Sequence, residues 1–151
     1  MAVGRAEVID RVLAVAGGRI ITLSDVTAAR TLGLQAAGET PDPGQAILQK
    51  LIDRQLMLAE VDRYAPPDPA AAAIDRDVAA VRARFASAAA FDAVLARSGI
   101  DERQLRETIR QDLRIRAYLD QRFSLSDPRR AQLIDEWITG LRRRAEIVTV
   151  P

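Results

Sequence analysis

The stretch "VLAVAGGRIITLSDV", residues 12–26, decides the fold. Two runs of aliphatic and β-branched residues flank Gly17 and Gly18, a pair that tolerates the positive φ of a tight turn, so we predict a β-hairpin over residues 8–22. The glycine pair could instead cradle a phosphate. However, no Gly-Lys-Ser/Thr follows and the dinucleotide-binding spacing is missing, so we interpret the pair as a turn. A lone hairpin is marginally stable, and the rest of the chain must cover it.

The composition is typical of a single domain over residues 1–151. The chain has 151 residues, of which 48% are hydrophobic, enough for one core. Its 22 basic and 21 acidic residues leave a net charge of +1, which argues against a nucleic-acid or anionic-lipid partner. No segment approaches the roughly 20 apolar residues of a membrane helix, so we expect no membrane insertion. The start, "MAVGRAEVID", does not resemble a signal peptide, so we expect either a cytosolic protein or a mature form whose signal was removed.

Two absences restrict the chemistry. The chain contains no cysteine and no histidine. Thiol nucleophiles, disulfides, Ser-His-Asp arrangements and zinc sites with nitrogen and sulfur ligands are therefore excluded. The carboxylates show no pairing that would mark an acid/base couple. We expect neither an enzyme nor a bound metal or cofactor.

Capping residues predict a series of helices. Ser24 or Thr22 caps a helix over residues 24–36, which Gly38 ends. An Asp-Pro pair then starts three helices, with Asp as the cap and Pro in the first helical position. A capping box of Asp101 and Gln104 starts a long helix. The predicted ranges are 43–64, 69–85, a short helix around Phe91 that Gly99 ends, 101–123 and 128–144.

The pattern within these helices predicts their environment. The helix over residues 43–64 is apolar over more than half of its circumference and should be central. The helix over residues 69–85 has one narrow apolar stripe and should lie on the surface of the bundle. For the long helix we predict one apolar face, formed by Leu105, Ile109, Leu113 and Ala117. We also predict two solvent-side i,i+4 ion pairs within it, Glu102 with Arg106 and Asp112 with Arg116.

The chain ends in a short β-type run, "EIVTV", residues 146–150. A lone strand needs a partner, and the N-terminal hairpin is the only other β-type segment. The predicted fold class is therefore mainly α with a small β-sheet: about six helices in a bundle, with an N-terminal hairpin completed by a C-terminal strand. The helical part covers residues 24–123, and residues 128–151 return as a helix and strand.

Three segments resemble one family. "VIDRVLAVAGGRIITLSDV", "ILQKLIDRQLMLAEVDRY" and "FDAVLARSGIDERQLRETIRQDLRIRAYLDQRF" are similar to the N-terminal chaperone domain of the SurA family of periplasmic folding factors. The strongest parts are residues 8–26, 51–58 and 99–118, and "AQLIDEWITGLRRRAEIVTV" resembles the helix and strand that complete this domain. The resemblance implies a periplasmic holdase whose clients are unfolded polypeptides, among them outer-membrane proteins.

The chain also departs from this family. The family usually places parvulin isomerase domains before the last helix, whereas this chain has only about "FSLSDP" there. Parvulin sites rely on histidines, which are absent here, so the resemblance implies a chaperone without prolyl isomerase activity. Gly17 replaces a frequent Asn, and both residues tolerate the turn.

The resemblance supplies no list of groove residues, so candidates come from side chains near helix ends. A holdase offers apolar, adaptable surface to its clients. The client-binding candidates are Met57, Tyr64, Phe85, Phe91 and Phe123. Each of them also fits the pattern of an ordinary core residue. We expect Trp137 to anchor the last helix against the bundle.

Other functions remain open at this point. A structural or assembly protein with the same fold could bind one dedicated partner, or could form a homodimer by exchanging the last helix and strand across the short "SLSDP" connection. A DNA-binding protein is disfavoured by the balanced charge and by the lack of a helix-turn-helix pattern. The run of three arginines, residues 142–144, fits a helix C-terminus, where cations interact favourably with the helix dipole.

Overall fold

A computed structural model describes residues 10–151 and confirms the predicted fold class. Within this range there are six helices, of which α2 is central, and three strands that form one small sheet. The elements in chain order are β1 (Val12–Ala16), β2 (Arg19–Thr22), α1 (Leu23–Thr31), α2 (Pro43–Tyr64), α3 (Ala71–Arg82), α4 (Ala88–Ser98), α5 (Glu102–Arg122), α6 (Arg130–Arg144) and β3 (Ile147–Thr149). The first two residues of the predicted hairpin, Val8 and Ile9, lie outside the described residues.

The sheet joins the two ends of the described chain. Gly17 and Gly18 have φ values of 57° and 76° and form the two-residue turn between β1 and β2. On its other side β1 pairs with β3, so the antiparallel order is β2-β1-β3 and the predicted partner of the C-terminal strand is confirmed. The buried face of the sheet packs against α2.

The predicted central helix, α2, has the bounds expected from the sequence. Asp42 caps it and Pro43 occupies its first turn, as the Asp-Pro pattern indicates. It packs against α1, α5, α6 and the sheet. A second core cluster joins α1, α3, α4 and α5 around Phe91 and Leu105, and the predicted stripe of α3 is buried there.

Helix α1 ends earlier than predicted. Thr22, not Ser24, is its cap, and together with Asp25 it forms a capping box. The helix stops at Thr31 because Gly33, with φ of 67°, follows the last turn and lets the Leu34 N–H bond the Ala29 carbonyl. This is a Schellman ending, so Gly33 ends the helix and the expected end at Gly38 is wrong.

Two of the three predicted Asp-Pro caps are wrong. Helix α3 begins at Ala71 without a side-chain cap, because the Asp68 carboxylate binds Arg110 of α5 at 2.6 Å. Helix α6 begins at Arg130, also without a side-chain cap, because Asp127 accepts from the Arg129 N–H in the preceding turn. Helix α3 also ends at Arg82, before Phe85.

The charge pairing predicted within α5 is wrong, and so is part of its apolar face. Glu102 pairs with Arg82 and Asp112 pairs with Arg54, each on another helix. Ala117 is exposed and Leu113 is only partly buried. The buried residues of α5 are Leu105, Ile109, Ile115 and Tyr118, because α5 contacts both α3 and α2 along its length and needs two apolar stripes.

Candidate functional site

An open cleft of about 660 Å³ lies between the hairpin and α5. One wall is β2 with the start of α1, the other is the N-terminal half of α5, and α2 forms the floor. Both walls pack against α2, and the space between them is unfilled. The cleft is lined by residues 18–21, 25, 28, 29, 34, 35, 51, 54, 55, 100, 104, 107, 108, 111 and 112.

Arg54 forms the polar centre of the floor. Its side chain is only 9% exposed, and its Nε donates to Asp112 Oδ1 at 2.6 Å. Its Nη2 donates to the Thr108 carbonyl at 3.1 Å and to Gln111 Oε1 at 2.9 Å. These three bonds join α2 to α5, so the Arg54 network holds the floor to one wall and sets the width of the cleft at that point.

The other acidic groups of the cleft are also engaged within the protein. Glu107 accepts from Arg110 at 2.8 Å, and this hydrogen bond lowers the pKa of the Glu107 carboxyl. Asp25 accepts from the Thr22 N–H in the capping box at 2.8 Å. Because Asp112 is paired with Arg54, each carboxylate that lines the cleft has an internal partner. Asp112 and Glu107 thus have arginine partners, and Asp25 is held by a main-chain N–H. The exposed Arg19, which also lines the cleft, has no ion pair within residues 10–151.

The remaining lining is aliphatic and amide-bearing. Small and branched apolar side chains come from α1, α2 and the end of α4: Ala28, Ala29, Leu34, Leu51 and Ile100. Four glutamines also line it: Gln35, Gln55, Gln104 and Gln111. Gln111 is bonded to Arg54 and Glu107, and Gln104 Oε1 accepts from the Asp101 N–H. The buried Gln55 Oε1 has no hydrogen-bond partner among residues 10–151, and a primary amide both donates and accepts, so Gln55 can match the N–H and C=O groups of a polypeptide main chain. Such a lining suits a neutral polypeptide better than a charged small molecule.

None of these cleft residues was among the client-binding candidates predicted from the sequence. The predicted client-binding residues lie elsewhere, and three of them meet at the far end of the molecule. Tyr64 stacks on Tyr118 with ring centroids 5.4 Å apart, and Phe123 contacts Trp137 at 5.8 Å. Met57 packs against the same cluster, so the structure brings these three candidates together.

This aromatic cluster is partly open to solvent. Tyr64 is 61% exposed and lines a second hollow of about 450 Å³ between the end of α2 and α5. Tyr118 bridges Tyr64 and Trp137, with its ring centroid 5.7 Å from that of Trp137. The Arg122 guanidinium lies over the Phe123 and Trp137 rings at 5.7 and 5.5 Å. Trp137 thus anchors α6, as its sequence position indicates.

Phe85 and Phe91 are in a different part of the fold. Their ring centroids are 5.6 Å apart in the core cluster of α1, α3, α4 and α5. Phe91 is fully buried and Phe85 partly so. The two phenylalanines are separate from Met57, Tyr64 and Phe123, so the five candidates form two groups and not one groove.

Apolar side chains also lie in a row across the outer face of the sheet. Val15 of β1 pairs with Ile20 of β2 and with Val148 of β3, and paired residues share a face. Their face is opposite to that of Ala14 and Ile21, which are buried. Ile20 is 60% exposed and Val148 49%. Exposed apolar surface next to a cleft favours a binding function.

Residues 10–151 contain no group of three acidic side chains that could hold a metal ion. Over the same residues, no helix is long and apolar enough to cross a membrane.

Comparison with protein-family models and with curated proteins found no match. The resemblance to the SurA family therefore stays a prediction based on the quoted segments. The three strongest of those segments are residues 8–26, 51–58 and 99–118. Their described residues form the hairpin with the start of α1, the middle of α2 and most of α5. These are the elements that form the two walls and the floor of the cleft.

Proposed function

We propose that this protein is a holdase chaperone that binds unfolded polypeptides, among them outer-membrane proteins, in the periplasm, and that it has no prolyl isomerase activity. The observation that carries the proposal is the open cleft between the hairpin and α5, with its aliphatic and glutamine lining and its internally paired carboxylates. A holdase needs this kind of surface because its clients share a main chain and apolar side chains but no common sequence.

The family resemblance supports the same function independently of the lining chemistry. The segments that carry it coincide with the elements that form the cleft. The short α5–α6 connection, residues 123–129, leaves no room for an isomerase domain at that place, and the sequence has no histidine for a parvulin site. The function proposed is therefore binding without catalysis.

The test is suppression of aggregation. A denatured outer-membrane protein is diluted into buffer with the purified chain at several molar ratios, and light scattering is followed. An inert helical protein of similar size serves as the control. We expect suppression near stoichiometric ratios, whereas no suppression at large excess would contradict the holdase function.

A pair of variants links the activity to the cleft. Thr108→Trp places a large ring between α5 and β2, where Thr108 lines the cleft. Arg116→Trp makes a similarly large change at an exposed position of the same helix outside the cleft. We expect suppression to fall with Thr108→Trp and to persist with Arg116→Trp, and circular dichroism checks that both variants keep their helices.

The alternative is a structural or assembly protein that binds one dedicated partner or self-associates by a domain swap. The apolar row on the outer face of the sheet, Val15, Ile20 and Val148, favours this alternative because it offers a fixed surface. A swapped homodimer would exchange α6 and β3. Mass measured in solution distinguishes a monomer from such a dimer, and absence of suppression combined with a dimer would favour the alternative.

A further inference from the structure

We propose that a client segment binds in the cleft as an additional β-strand on the free edge of β2, and that the preferred segment is extended and uncharged with apolar side chains at alternate positions. This inference rests on the proposed function and deepens it, because it names the class of segment and the atoms that recognise it. The recognising atoms are the main-chain N–H and C=O of Ile20.

The pairing of the hairpin decides which groups of β2 are free. Ala16 and Arg19 flank the two-residue turn, so they form the hydrogen-bonded pair next to it. The next pair, Val15 and Ile20, is then a non-hydrogen-bonded pair, in which both main-chain groups of Ile20 point away from β1. No other backbone group among residues 10–151 bonds them. Two residues after Ile20, the Thr22 N–H is already bonded to Asp25, which ends the free edge.

The residues that carry this free edge also line the cleft. Residues 18–21, the turn glycine and most of β2, line the cleft, and the opposite wall is α5. A strand added to β2 lies about 4.8 Å from it, inside the cleft. β-Strand addition is a recurring mode of peptide recognition in which main-chain hydrogen bonds supply affinity without reading the sequence. An unpaired edge beside a cleft therefore fits a ligand that is itself a polypeptide.

The two faces of the added strand meet different surroundings. Side chains on the inner face lie toward Ala28, Ala29 and Leu51, which line the cleft and are buried or partly buried. Side chains on the outer face lie beside Ile20, which is 60% exposed. Alternate residues of a strand point to opposite faces, so the inner positions favour small or branched apolar residues and the outer positions are permissive.

Beside α5 the cleft offers no free counter-ion to a charged side chain of the bound segment. Arg54 and Asp112 are paired with each other at 2.6 Å, and Glu107 is paired with Arg110 at 2.8 Å. A charged side chain in the cleft would lose water without gaining a free counter-ion from these groups.

The first test uses the unaltered protein and a capped seven-residue peptide that alternates valine and threonine. Two further peptides carry N-methyl groups on all the valines or on all the threonines. Successive N–H groups of a strand point to opposite sides, so only one of the two sets faces β2. By fluorescence anisotropy we expect the affinities of the two methylated peptides to differ by at least about tenfold, the effect of losing a main-chain hydrogen bond. Equal affinities would overturn the proposal.

The second test changes the edge itself. Ile20→Pro removes the free N–H, and Thr149→Pro makes the same change at the opposite edge of the sheet, where Thr149 of β3 occupies a non-hydrogen-bonded position. We expect peptide affinity to fall at least about tenfold in Ile20→Pro and to change less than about twofold in Thr149→Pro. Equal affinities in the two variants would overturn the proposal. If Ile20→Pro does not fold, the methylated peptides still decide the question.

The aggregation assay separates this inference from the function on which it rests. If the unaltered chain does not suppress aggregation, the holdase function fails. If the unaltered chain and Ile20→Pro suppress aggregation equally, the holdase function stands and strand addition to β2 is wrong. Association of two copies through their β2 edges, with no peptide binding, would also overturn the proposal, and mass in solution detects it.

Discussion

The Arg54–Asp112 pair predicts an asymmetric loss of stability when either partner is removed. The two side chains differ in burial, with Arg54 9% exposed and Asp112 35%. In Asp112→Ala the buried guanidinium loses its shortest hydrogen bond and keeps the Thr108 carbonyl and Gln111 Oε1. Breaking a fully buried pair costs about 3–5 kcal/mol, and the two remaining acceptors reduce this. We expect the free energy of unfolding to fall by about 2–3 kcal/mol.

Arg54→Met has a smaller expected cost. Methionine fills most of the same volume and removes the buried charge, while Asp112 is exposed enough to be hydrated again. The Thr108 carbonyl remains within α5. We therefore expect the free energy of unfolding to fall by about 1 kcal/mol, because replacing a buried charge by an apolar side chain is far less costly than leaving that charge unpaired.

Urea unfolding measures both changes, with fluorescence of the single Trp137 and circular dichroism as probes. Asp75→Ala is the matched control, because Asp75 pairs with Arg106 at 2.8 Å and both side chains are well exposed. Its expected effect is within about 0.5 kcal/mol. The reasoning would be refuted if Arg54→Met lowered the free energy of unfolding as much as Asp112→Ala.

Three further predictions concern helix ends and pH. Thr22→Ala should lower the free energy of unfolding by about 1 kcal/mol through loss of the α1 cap, and Thr22→Ser should retain it, measured by urea unfolding. Gly99→Ala should lower the free energy of unfolding by about 1 kcal/mol, because φ at Gly99 is 73°. Gly44→Ala, in the first turn of α2 where a Cβ has space, should leave the stability equal or higher. Thermal melts compare the two variants. The hydrogen bond from Arg110 lowers the pKa of the Glu107 carboxyl, so the stabilisation by ionised Glu107 is present above the ordinary glutamate pKa and is lost as the pH falls through the folded-state pKa. The free energy of unfolding of Glu107→Gln should therefore depend less on pH in that acidic range. An unchanged pH dependence would contradict this role of Glu107.

Local signals in the sequence predicted local structure well. The turn at Gly17 and Gly18, the bounds of α2 and the Asp101–Gln104 capping box are all confirmed. Each depends on residues within a few positions of one another, so the physical cause is contained in the segment itself. The return of the C-terminal strand to β1 could also be predicted, because an unpaired strand has few alternatives in a chain with one hairpin.

Charged residues were the least predictable part. The i,i+4 spacing within α5 indicated internal pairs, yet the structure pairs Glu102 with α3 and Asp112 with α2. An exposed i,i+4 pair contributes only a few tenths of a kcal/mol, so a nearby partner on another helix easily replaces it. The same competition explains why Asp68 binds Arg110 and does not cap α3.

The amino-acid sequence by itself determined the mainly α fold class, most helix ends, the turn of the hairpin and the lack of histidine and cysteine chemistry. Only the tertiary structure decided that β2 borders a cleft, that Arg54 forms its floor, and that Met57, Tyr64 and Phe123 lie apart from Phe85 and Phe91. Helix and turn signals act over a few residues, whereas the cleft joins residues 18–112 across four elements. Its shape depends on how packed helices leave space between them, which no short stretch of sequence encodes.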